Sequence, residues 1–376
     1  MLRSSLRARH GALVSAMVVA AALLFASATT ASAASAPTLR QLPGTASGVG
    51  VLASNDAWVV GSRPDPADQD EDIGMALHWD GHRFTEFPTP SFGGLTGGLV
   101  DVSLSDPTHG FAVGNKGIKG FRDQQIVVER WDGNAWTLSN APDRSFNDVL
   151  TGVAAVSADD AWAVGAWDPG GTARDRPLVE HWNGSAWSIV SLPDVGFSEL
   201  DAVDAVSADD VWAVGSSDGG TLTMHWDGSR WTRIPSPNLG QSEQALADVS
   251  AVAADDVWAV GTVQSGQPFP GKTLVIHWDG SAWSPVRSPS PTSGDIVTGV
   301  VAFGAADSWM VGTYFPNAIT NKALTVRFTA AGAQQVTVPG KNSFDDVDGV
   351  APDDVWTVGG GIFHNDGTGW RRVVAP

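Results

Sequence analysis

Aspartates and histidines recur at fixed places along this chain, and both residue types can carry chemistry. Asp159-Asp160, Asp209-Asp210, Asp255-Asp256 and Asp353-Asp354 are adjacent carboxylate pairs, the kind of group that shares general acid and base work. His78, His181, His225 and His277 offer imidazoles, common ligands for transition metals. Each aspartate pair is followed two residues on by a tryptophan, and each histidine is followed directly by another. That repetition argues against a site. Ligands drawn from one position of every repeat are spread around the molecule and cannot converge on one ion or one bond. The expected roles are structural: Asx-type turns for the aspartates, hydrogen-bonded framework positions for the histidines.

Residues outside the repeating register are better placed to act. Asp65 to Gly74 holds five acids, and the Asp68-x-Asp70-x-Asp72 spacing supplies hard oxygen donors of the type calcium needs. Ile73 stands at the sixth position and Trp79 at the twelfth, so this is no EF-hand, and calcium is the one metal expected, at Asp68, Asp70 and Asp72. A second connection carries Lys116, Lys119 and Arg122, which could pair with the acidic one. Most of the seventeen tryptophans sit in the repeated words and are expected to fill the core. Trp167, Phe146, Phe197 and Phe344 fall in variable connections and are the expected aromatic ligand contacts. Asp148, Asp201 and Asp345, with Glu199, Glu243 and Asp295, enter the first strands of several repeats and are expected at the mouth of a central channel.

The elements that must position these residues follow from the repeat. Ser157-Ala-Asp-Asp-Ala-Trp162-Ala-Val-Gly165 returns as Ser207-Ala-Asp-Asp-Val-Trp212-Ala-Val-Gly215 and as Ala253-Ala-Asp-Asp-Val-Trp258-Ala-Val-Gly261. Weaker copies bring the marker aromatics to Trp58, Phe111, Trp162, Trp212, Trp258, Trp309 and Trp356, spaced by 46 to 53 residues. A second word follows each, as in His181-Trp182-Asn183-Gly184 and His277-Trp278-Asp279-Gly280. Asp-Gly and Asn-Gly between alternating segments are strong hairpin signals. Each unit parses as four short strands, and no segment of 47–376 shows helical periodicity. Seven such units at this period predict an all-β, seven-bladed β-propeller of four-stranded antiparallel blades over 47–376. The turns after strands one and three are near-constant and share one face. The connections after strand two and between blades vary and share the other, which is the expected functional face.

Residues 1–33 have the layout of a secretory signal peptide. Arg3, Arg7 and Arg9 precede an apolar stretch from Ala12 to Ala26, and Ala31-Ser32-Ala33 fits a cleavage site. Export to the extracellular space is expected, with 34–46 as an N-terminal segment that could supply a ring-closing strand. The formal charge of −19 would become −22 once the leader's three arginines are lost. Such acidity disfavours nucleic acid and anionic membranes as partners, and no second apolar run of spanning length is present. Without cysteine there is no disulfide, thiol nucleophile or thiolate metal site. A closed ring has few exposed strand edges, so a monomer is expected.

The Asp-Asp-Val-Trp-Ala-Val-Gly and His-Trp-Asp-Gly-Ser-Ala-Trp words resemble those of secreted bacterial propeller-repeat proteins, grouped loosely with kelch and galactose-oxidase-like propellers. The resemblance spans about 47–370 and implies the fold more than an activity. Galactose oxidase chemistry needs a tyrosine cross-linked to a cysteine and a second tyrosine on copper, whereas this chain has no cysteine and only Tyr314. No nucleophile elbow, phosphate loop or zinc-protease motif occurs. The expected function is a non-catalytic propeller that binds a protein or glycan through its variable face. The alternative is a carbohydrate-active enzyme, glycosidase or sialidase-like, with acids at the channel mouth.

Overall fold

The computed structural model describes residues 42–373, apart from 69, 119–123, 146, 171–174, 219, 240–242, 265–270, 293, 318–319 and 341–342. The described strands form seven four-stranded antiparallel sheets, each continuous in sequence with neighbours in chain order. The blades occupy 45–87, 96–138, 148–189, 198–233, 244–285, 296–335 and 344–373. First strands contact one another around the ring, including those of blades seven and one, so the expected seven-bladed propeller is what forms. No helix occurs among the described residues.

The Ala-Trp-Ala-Val word explains why blades stack. In the second strand of blade three (Asp160–Trp167), Trp162 and Val164 pack into the interface with blade four. Ala161 and Ala163, on the opposite face, pack into the interface with blade two. Alternation across a strand therefore presents a large surface to one neighbour and a small one to the other, which interdigitates around a ring. Each of the seven core clusters lies between two adjacent blades.

The innermost strands hold one another by side chains. Each has a β-bulge near its start, between Leu99 and Asp101 in blade two and between Leu246 and Asp248 in blade five. In blades two, five and seven the residue after the bulge is an aspartate aimed at the next blade. Asp101 accepts from the Val153 amide at 2.7 Å, Asp248 from Val300 at 2.7 Å, and Asp346 from Val49 at 2.8 Å. Where blade one has Gly48 instead, a Cβ would lie 2.8 Å from Asp101 Cα, so only glycine admits that approach. The seam between blades seven and one is tied by Asp346 and by Asp348, which accepts from the Val51 amide at 2.8 Å. Blade seven draws all four of its strands from 344–373. A closing strand from 38–43 would fall mostly outside the described residues, as does the leader; Leu42 packs against the core at this seam.

Candidate functional site

On the constant face, the repeated chemistry is consumed by the framework. His78, His181, His225 and His277 each direct Nε2 to an aspartate Oδ1 at 2.8 Å, on Asp56, Asp160, Asp210 and Asp256 respectively. His364 repeats the bond to Asp354 at 2.7 Å. The imidazoles lie against the marker tryptophans, with ring centroids 4.2 Å apart for Trp162 and His181 and 4.4 Å for Trp212 and His225. In blade six, Arg327 takes the histidine's place, bonding Asp307 and lying 5.4 Å over Trp309. The histidines are thus framework groups. For the aspartate pairs the expectation needs correcting: the second aspartate of each pair is the histidine's acceptor. The Asx turns belong to the hairpin residues Asp80, Asp132, Asn183, Asp227 and Asp279. The Ser281 hydroxyl and two amides hold the Asp279 carboxyl down at about 2.

Several residues expected at a site are engaged elsewhere. Phe344 is fully buried between blades six and seven, edge-on to Phe363, because its strand begins there with a core position. Asp148 has no exposed surface; it accepts from the Arg144 and Ser145 amides and from the Ser145 hydroxyl, and so braces the crossover into blade three. Asp295 does the same in blade six through Ser290 and Thr292. Trp167 is half-buried, with the Arg144 guanidinium 4.2 Å above its ring. Phe146 lies outside the described residues. Asp201 and Asp345 occupy the same bulge position in blades four and seven, so the fold separates them rather than pairing them. Burial and the neighbouring Glu199 push Asp201 up to about 7; burial alone raises Asp345.

The calcium expectation is not supported by the loop. Asp65 and Asp68 spend carboxylate oxygens on the amides of Ala67 and Asp70, at 2.8 and 3.1 Å. Among the described residues no three or more histidine, aspartate or glutamate groups are arranged to hold a metal ion, so Asp68, Asp70 and Asp72 form no such set. Lys116 and Asp72 border one groove between blades one and two, while Lys119 and Arg122 lie outside the described residues.

A cleft on the variable face brings several acidic side chains and an exposed aromatic ring together. In blade four the second strand (Asp210–Ser217) and third strand (Gly220–Trp226) pair up to Ser217 and Gly220, so their connection is only 218–219. The matching connections of blades three and five run over 168–175 and 265–270. Beside this short connection lies a notch of about 480 Å³, within the usual range of ligand pockets. Asp175, Glu199, Asp218 and Glu243 present carboxylates there, beside Ser216, Gln264 and Phe197. The Ser216 hydroxyl donates to Glu199 at 3.1 Å. Phe197 is 37% exposed and is propped by Arg176, whose guanidinium lies 4.8 Å over the ring and donates to Asp194 and the Gly196 carbonyl. Gln244, buried beneath, accepts from the Leu239 amide and donates to Asn238, fixing the crossover that carries Glu243. Of the residues expected at a site, only Phe197 and the acids Glu199 and Glu243 meet here. Asp175 and Asp218 were missed, although the shortness of the segment from Gly215 to Gly220 marks the place.

Comparison with known proteins adds the fold and no family. No family model and no curated protein matches the chain. Among solved structures, a polysaccharide lyase, ulvan lyase, bound to -[GlcA(1-4)Rha3S]- is similar at 12% identity and a TM-score of 0.55, over 89% of this chain and 96% of that one. The WD40 repeats of RRP9 give 11% and 0.55, over 85% and 89%. YCF48 from Cyanidioschyzon merolae gives 13% and 0.53, over 85% and 94%. At such identities the likeness extends to the propeller architecture alone.

Proposed function

We propose that this protein is an exported, non-catalytic binding propeller whose ligand, a protein or a glycan, seats on the variable face in the cleft above blade four. The observation that carries the reading is the contrast in how polar groups are used. On the constant face the histidines and their aspartates are bonded to each other and stacked on core tryptophans. In the cleft, four carboxylates and an exposed aromatic ring surround an open volume on a rigid scaffold. The leader-like segment 1–33 supports export, and a lyase on the same architecture shows that such a ring can present a glycan site.

The test is to titrate the chain beginning at Ala34 with a panel of soluble polysaccharides and peptides, and to repeat it with Ser216→Trp, which fills the cleft. Saturable binding lost in that variant supports the reading; binding unaltered by it sinks the assignment to this cleft. A second reading, a carbohydrate-active enzyme, is favoured by one observation: Asp201, pushed up to about 7 by burial and the neighbouring Glu199, is a carboxyl group able to hold a proton beside a second carboxyl group. Turnover of a polysaccharide that disappears in both Glu199→Gln and Asp201→Asn would replace the binding reading with that one.

A further inference from the structure

The cleft's lining is one-sided in charge. Asp175, Glu199, Asp218 and Glu243 come from three consecutive blades and face one volume. Among the described lining residues there is no lysine or arginine. Two described arginines beside the lining are already engaged: Arg176 lies over Phe197 and donates to Asp194 and Gly196, and Arg233 donates to Ser217. The remaining lining is small and polar (Ser198, Ser216, Ser217, Thr262), with Phe197 and Ile296 as apolar patches. Carboxylates concentrated in a concave site raise the local potential, favour a cation there and repel an anion. A uronate- and sulfate-bearing chain, such as the one in the ulvan lyase, would enter against four like charges.

Resting on the proposed role of the cleft as the binding site, we infer that its occupant is a lysine- or arginine-bearing segment of a protein partner. Long basic side chains match both parts of the lining. Their aliphatic stems cover Phe197 and Ile296, and their charged heads reach the carboxylates. The rigid placement follows from the blades: Glu199 stands in the first strand of blade four (Ser198–Ser207), and Glu243 immediately precedes that of blade five (Gln244–Ala253). Acids fixed in this way lose little freedom on binding, which favours affinity.

The experiment uses fluorescein-labelled hexalysine, its fully acetylated form and a neutral β-glucan hexasaccharide as probes. Hexalysine is expected to bind saturably and to weaken steeply as salt rises from about 50 to about 500 mM, while acetyl-hexalysine does not bind. Glu199→Gln/Glu243→Gln is expected to weaken hexalysine by about tenfold or more. Asp159→Asn/Asp209→Asn removes the same charge from the opposite face and is expected to change it less than about twofold. Thermal unfolding of each variant confirms that it is folded. Equal losses in the two double variants would show diffuse attraction to an acidic protein and overturn the inference, as would equal binding of the acetylated peptide. If hexalysine fails but the hexasaccharide binds and Ser216→Trp abolishes it, the cationic partner is wrong and the cleft stands. If Ser216→Trp alters the binding of neither probe, both fall.

Discussion

Blades four, six and seven each join their second and third strands by two residues, 218–219, 318–319 and 360–361, and in blades four and seven that connection stands beside a notch on the variable face. The two notches differ in what lines them. That of blade four holds four carboxylates around about 480 Å³. That of blade seven, about 340 Å³, is lined by glycines together with Asp345 and Arg372, so its charges balance. One local device, a clipped hairpin, thus produces a cleft with a strong field in one place and a nearly neutral dent in the other. The difference lies in first-strand, turn and crossover residues, some of the blade itself and some of its neighbours, which the repeated words do not constrain.

The sharpest way to break that comparison is to remove the framework beneath one notch. Trp212 is buried between blades four and five, and Trp212→Ala is expected to cost about 3–5 kcal/mol and to abolish binding with it, read by denaturant unfolding and titration. The next effect concerns two residues that depart from the framework. Glu129 and Glu180 are fully buried with no hydrogen-bond partner at either oxygen, and burial pushes both up to about 8. Their register is that of Leu77 in blade one and Met224 in blade four. The unfolded chain ionises them near 4.5 and the folded one near 8, so stability falls as pH rises between those values and is flat beyond. The loss is of the order of 5 kcal/mol for each residue. Glu129→Leu and Glu180→Met are therefore expected to raise the melting temperature at pH 8 and far less at pH 4; equal gains at both would contradict the assignment.

Smaller effects separate the two notches directly. Ser216→Trp is expected to abolish ligand binding while changing stability by less than about 1 kcal/mol. Asp345→Asn, in the blade-seven notch, is expected to change binding by less than about twofold, because its site carries its own arginine. A comparable loss in both would erase the distinction between the notches.

The architecture was legible because its signals are local and repeated. Marker aromatics every 46 to 53 residues, with Asp-Gly or Asn-Gly hairpins after them, leave one economical fold, and the seven blades appear where those words stand. Repetition also marked His181 and its counterparts as framework. The partner of each histidine was not legible, since the bond from His181 crosses from the third strand to Asp160, the first residue of the second. Phe344 and Asp148 misled for a related reason. Position ahead of a first strand identifies a loop, but whether a side chain there points to solvent or into the fold depends on the bulge and the crossover that follow. The ring's closure by Asp346 and Asp348 depends on contacts 297 residues apart, beyond any pattern of neighbours. The cleft was half visible: the clipped segment after Gly215 marks it, but the approach of Asp175 and Glu243 to it is a product of three blades.

The most direct test of the cleft's role is amide hydrogen exchange of the folded protein with and without saturating hexalysine. Protection confined to 197–199, 216–218 and 243–245, with 343–345 and 359–361 unchanged, is the expected result. Protection spread over both notches, or centred on the constant-face turns, would contradict it.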